Sequence, residues 1–151
     1  MKKMKTKWWI TIIGGVIILP ILWYLLSPLF IVVEMDETSP LEQDISSVML
    51  SEALFQASAH EVSGKALIIE SEGEKVLRFE DFETINGPDL RIYLAADLEA
   101  NDFVDLGEIK ATKGDVNYDI PEGTDLSKYK YVLVWCRAFS VLFSYSELPT
   151  E

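Results

Sequence analysis

One cysteine, Cys136, and one histidine, His60, are the only soft metal ligands in this 151-residue chain. A single cysteine excludes any intrachain disulfide, so the fold must hold itself by burying apolar surface. A structural zinc site needs four nitrogen or sulfur ligands and a catalytic one three protein ligands, which two residues do not supply. A blue-copper centre needs two histidines with its cysteine, and an iron–sulfur cluster needs four thiolates. No C-x-x-C-H or C-x-x-C occurs, which removes c-type haem attachment and thioredoxin-like exchange. No G-x-S-x-G precedes the lone histidine either, so hydrolytic triads have no footing. Asp97, Glu99, Asp102 and Asp105 form an acidic stretch without the spacing of an EF-hand loop.

Positive charge is scarce after residue 7. Lys2, Lys3, Lys5 and Lys7 precede an uncharged run from Trp8 to Val33, and all 25 acidic residues lie at or after Glu34. The remainder sets nine basic against 25 acidic groups, a formal charge of −16. Such a body repels phosphate backbones, so nucleic acid is not a partner; the charge reads as a solvating surface.

The 26 uncharged residues of 8–33 would make a helix of about 39 Å, against a hydrocarbon core of about 30 Å. Trp8, Trp9, Trp23 and Tyr24 suit interfacial belts, and Pro20 and Pro28 mark places where the segment bends or ends. The expectation is therefore a transmembrane signal anchor. Residues 1–7 would be cytoplasmic, 8–33 would span, 34–51 would form a juxtamembrane spacer, and 52–151 would be an extracytoplasmic domain at the cell membrane. The lipid bilayer would be one partner of the chain. In the spacer, Ser39-Pro40-Leu41-Glu42 reads as a helix start, and Leu41, Ile45, Val48 and Met49 continue at helical spacing.

From Phe55 onward the period changes to two. Strand candidates are Ala66–Ile69, Val76–Phe79, Leu90–Leu94, Val104–Leu106, Val116–Ile120, Tyr131–Cys136 and Phe139–Phe143, separated by turns rich in Gly, Pro, Asn and Asp. Strands recurring about every eleven residues predict an all-β domain, a β-sandwich of about seven antiparallel strands. Tyr131–Cys136 is apolar on both faces, which predicts a central strand. Cys136 shares a face with Val132 and Val134, while Trp135 shares the other with Tyr131 and Leu133. Cys136 thus ends a strand near the rim of the sandwich, followed by a tight turn at Arg137-Ala138.

Residues 55–148 resemble the DM-thirteen domain, also called the electron-transfer DM domain. The likeness rests on His60-Glu61-Val62-Ser63-Gly64, Leu77-Arg78-Phe79-Glu80-Asp81-Phe82, Asn86-Gly87-Pro88-Asp89-Leu90 and Tyr131-Val132-Leu133-Val134-Trp135-Cys136. The resemblance implies a sandwich-like fold and a redox role centred on Cys136. The ligand-binding candidates around that thiol are Trp135, His60, Asn86 and Asp89. Haem on Cys136, with His60 as the one imidazole, is the prosthetic group the resemblance allows, and the partner it implies is an envelope redox protein. A thiol redox role is the one catalytic chemistry left open. The alternative is a non-catalytic binding or adhesion module, with loops Glu83–Pro88 and Ala96–Asp102 as its contact surfaces and Cys136 packed in the core. A covalent dimer through Cys136 is a third reading.

Overall fold

The computed structural model describes residues 4–27 and 31–149 and divides the chain into two compact units at Ile31/Val32. The first unit is a helix, α1 (Met4–Leu26), with Pro20 inside it and apolar residues on all sides. Proline withholds one backbone donor from a helix interior, yet α1 runs on past it to Leu26.

Among the described residues no helix is long and apolar enough to cross a membrane. The expected transmembrane anchor over 8–33 is corrected accordingly. The uncharged run and the helix are not the same stretch. The helix begins among the lysines before Trp8 and also includes Thr11, Gly14, Gly15 and Pro20. The far end of the run belongs to the second unit. There Val33 O accepts from Thr112 N (2.8 Å) and Lys113 N (3.1 Å), and Val33 N donates to Thr112 Oγ1 (3.0 Å). Pro28 lies outside the described residues.

The second unit is β-rich. Its strands are β1 (Glu34–Asp36), β2 (Val48–Leu54), β3 (Gln56–Ala57), β4 (Val62–Ser71), β5 (Glu74–Thr84), β6 (Leu90–Ala95), β7 (Phe103–Glu108), β8 (Lys113–Ile120), β9 (Tyr131–Cys136) and β10 (Val141–Glu147). One sheet has the order β1-β8-β5-β4-β2 and the other β3-β10-β9-β6-β7. This replaces the expected seven antiparallel strands with ten in two five-stranded sheets, and β1 pairs with β8 in parallel. The extra strands come mainly from the expected spacer. Its helix, α2 (Pro40–Gln43), is one turn long, with Ser39 accepting from Leu41 N at 3.3 Å. It stops because Asp44 captures Ser46 N (2.9 Å) and Ser46 Oγ (2.6 Å), a local turn that competes with helical bonding. Val48 and Met49 then pair with Glu70 and Ile69 of β4 instead of continuing a helix.

The core lies between the sheets. Ala66, Ile68, Leu77, Phe79, Val116 and Tyr118 face Leu90, Ile92, Leu94, Val132, Val134, Cys136 and Phe143. At one end, Phe79 meets Phe55, Phe82 and Tyr118 with ring centroids 4.8, 4.9 and 5.2 Å away. β4 and β5 are joined by a two-residue turn with φ of 53° at Glu72 and 84° at Gly73, the twist a tight hairpin demands. β9 is central in its sheet, and a smaller apolar cluster covers its outer face. That cluster holds Tyr93, Ala95 and Leu133 with Tyr131, Trp135, Leu142 and Tyr145 against them. Tyr93 stacks on Phe103 at 4.1 Å.

On the outer face of the other sheet, β5 carries a buried cation. Arg78 is 3% exposed. Its Nε donates to Glu80 Oε1 (2.8 Å), Nη2 to Asp115 Oδ2 (2.6 Å), and Nη1 to Asn117 Oδ1 (3.0 Å) and Glu37 O (2.9 Å). The segment leading from β1 to α2 therefore lies over Arg78. Burial pushes the Glu80 carboxyl up, but hydrogen bonds and charge from Arg78 and Lys65 outweigh it and leave the group below its ordinary 4.5. A carboxyl whose pKa falls on folding adds stability above its unfolded value and loses it as pH drops through the folded one. The urea midpoint is therefore expected to decline as pH is lowered from about 5 to about 3. In Glu80→Gln that decline should be shallower, measured by tryptophan fluorescence.

Candidate functional site

Cys136 closes β9, paired with Leu90 of β6 on one side and Val141 of β10 on the other. The expectation of a strand-end position holds, but access does not follow from it: Cys136 is 0% exposed. The loop before β6 covers it. The thiol donates to Pro88 O at 3.1 Å. That loop is tied to the turn after β9, with Arg137 N donating to Asp89 O (3.0 Å) and Arg137 Nε to Asp89 Oδ2 (2.7 Å). Asp89 adopts φ 55°, a left-handed conformation that Asn and Asp tolerate better than most residues. The positive φ of this turn falls at Asp89, not at Asn86 or Gly87.

Phe143 links the loop to His60. The two rings lie 4.0 Å apart between centroids, and His60 N donates to Phe143 O at 3.1 Å. Gly87 lies against the same ring, where a Cβ would come within 2.7 Å of Phe143 Cζ. Asn86 Oδ1 accepts from Gly87 N at 2.8 Å. Residues far apart in sequence, namely His60, Asn86, Asp89 and Cys136, are thereby gathered around Phe143 and one loop. Trp135 is not among them. It points to the outer face of β9, 6.5 Å from Tyr93 between ring centroids, and does not shape the thiol's surroundings. Phe139, expected in the last strand, stands 62% exposed in the turn before it.

Two features of this region escape sequence reasoning. Phe143 reads only as one more apolar strand residue, although it is the contact between His60 and the loop. Ser144, beside it, is fully buried, and its Oγ is the one buried side-chain polar atom without a partner among the described residues. Nothing in the alternation of β10 signals either role.

The residues do not fit haem as folded. The sole thiol has no exposed surface and its hydrogen is given to Pro88 O, while the sole imidazole stands against Phe143. Three of the four acids of the 97–105 stretch are engaged separately. Asp97 Oδ1 accepts from Glu99 N and Asn101 N, Asp102 from Lys128 and Tyr129, and Asp105 from Arg91. Among the described residues no group of three or more His, Cys, Asp or Glu is placed to hold a metal ion.

Two packed sheets with one sealed cysteine at the end of a central strand define a β-sheet domain with a single thiol centre. Residues 54–148 match the family model described as electron transfer DM13, and the chain belongs to that family. No curated protein and no solved structure matches the chain.

Proposed function

We propose that the domain is an electron-transfer module that exchanges electrons through Cys136 with the thiol or disulfide of a partner. The observation that carries the reading is the placement of the family's Asn86-Gly87-Pro88-Asp89 turn directly on the thiol, with Pro88 O as its acceptor. A lone cysteine has no internal resolving thiol. The exchange is therefore intermolecular: Cys136 gives its proton to solvent, its thiolate attacks one sulfur of a partner disulfide, the partner S–S bond breaks as a mixed disulfide forms, and the other partner sulfur leaves as a thiolate that takes up a proton from solvent. Reaction requires the 86–89 loop to lift. The loop is held by the Asp89–Arg137 contacts at one end and by Gly87 against Phe143 at the other. Local opening of such a loop costs less than global unfolding.

Oxidised glutathione tests this on the folded protein. Mass spectrometry is expected to show a single glutathione adduct on Cys136, formed at a rate insensitive to low urea, and Asp89→Ala should speed it about tenfold by loosening the loop. Adduct formation that follows the global unfolding rate across the urea range would falsify the gated-thiol reading. The full burial of Cys136 favours one second reading, in which the thiol is core packing and the domain binds a partner without chemistry. Under that reading Cys136→Ser leaves partner binding unchanged.

A further inference from the structure

We infer that the open edge of β2 is a docking site for an extended, basic segment of another protein, which adds to the sheet as a sixth strand beside Val48–Ser51. β2 ends the order β1-β8-β5-β4-β2, so one side of its backbone faces β4 and the other faces no strand. Alternate N–H and C=O groups of such a strand point away from the sheet and can pair with a further chain. Ser146 Oγ reaches the far end of β2, donating to Ala53 O at 3.2 Å. Among the described residues no hydrogen bond outside the β2–β4 ladder involves Val48–Ser51.

The other three edges are built differently. β1 has three residues and β3 two, too few to seat a strand. β7 presents Asp105 and Glu108, both engaged by Arg91. β2 has seven residues and no proline, lysine or arginine, the residues that commonly blunt an exposed edge. Its single charge, Glu52, is taken by Lys65 at 3.0 Å. Val48, Met49, Leu50 and Leu54 stand exposed along it. An added strand would cover such side chains with its own alternate residues while its backbone supplies the pairing.

Charge selects the occupant. Val48 and Leu50 line a surface hollow of about 400 Å³ together with Glu70 and Glu72. Lys75 stands opposite Glu70 on β5, yet among the described residues neither carboxylate is in an ion pair. A lysine or arginine of the incoming strand can lay its stem on Val48 and Leu50 and set its charge by the two carboxylates. A second copy does not fit this edge as well. It would bring together two bodies of formal charge −16 beyond Val33, each with the same unpaired acids. The inference stands whether or not Cys136 exchanges electrons.

NMR titration of the isotope-labelled full chain tests it, with a capped hexapeptide of alternating lysine and valine as the probe. The amide signals of Val48–Ser51 are expected to shift, and their hydrogen exchange to slow, as the peptide is added. The same peptide N-methylated at alternate residues keeps its charge but loses its backbone donors, and should bind at least about tenfold more weakly. The double variant Glu70→Gln, Glu72→Gln alters no core residue and should weaken the unmethylated peptide about fivefold. Absence of binding overturns the inference, as do equal affinities for the two peptides or shifts that leave Val48–Ser51 untouched. Exchange at Val48–Ser51 that slows with protein concentration alone, without peptide, assigns the edge to a second copy and overturns it too.

Discussion

Arg78→Ala is expected to cost about 3–5 kcal/mol of folding stability, enough to consume a large part of what a domain of this size possesses. The guanidinium is nearly fully buried and serves Glu80, Asp115, Asn117 and the Glu37 carbonyl at once. Truncation would leave the Asp115 carboxylate without its cation and the Asn117 and Glu37 oxygens without a donor, while Glu80 would keep only Lys65. Leaving buried charge uncompensated is the costly outcome, whereas exchanging a whole ionic group for apolar packing is often neutral. Arg78→Lys should recover only part of the loss, because an ammonium cannot span the same fork of acceptors. Urea unfolding of the two variants beside the parent decides the matter. An Arg78→Ala loss below about 1 kcal/mol would mean the network contributes no more than an exposed ion pair.

Phe79→Ala is expected to cost a similar amount, about 3–5 kcal/mol, by a different route. Phe79 is the next residue along β5 and points to the opposite face, into the core, where it is 0% exposed. Its ring contacts Phe55, Phe82 and Tyr118, so its removal opens a cavity whose walls are large and stiff and collapse poorly. Phe79→Leu retains much of the volume and should lose under about 2 kcal/mol. Calorimetry with parallel urea titrations measures both. If Phe79→Ala proves as mild as Phe79→Leu, the aromatic end of the core is far more plastic than its packing implies.

The two residues also show what the sequence makes legible. Leu77, Phe79, Leu90, Ile92, Leu94, Val116, Tyr118 and Ile120 announce their inward face by plain alternation, because a strand buried on one side must alternate. Arg78 alternates with them and so reads as a solvent-facing residue. It is buried because the segment after β1 crosses over it, and that segment reads as a spacer. Leu41, Ile45, Val48 and Met49 have helical spacing, but the spacing is coincidental. Ile45 is fully exposed, and Val48 and Met49 belong to an edge strand. At the candidate site, the end-of-strand position of Cys136 and the outward turn of Trp135 both follow from period two. The cover over the thiol does not follow, since Pro88 is 48 residues distant in sequence and meets Cys136 only through the β6–β9 pairing.

The family match begins at residue 54, whereas the compact unit begins at Val32. Between those points lie β1, α2 and most of β2, which carry both edges of one sheet and the roof above Arg78. The start of the family match and the start of the compact unit are therefore different places. A fragment cut at the start of the match would expose the guanidinium's surroundings to water and leave β4 and β8 each with a naked flank, so the smallest piece worth expressing starts upstream of the match.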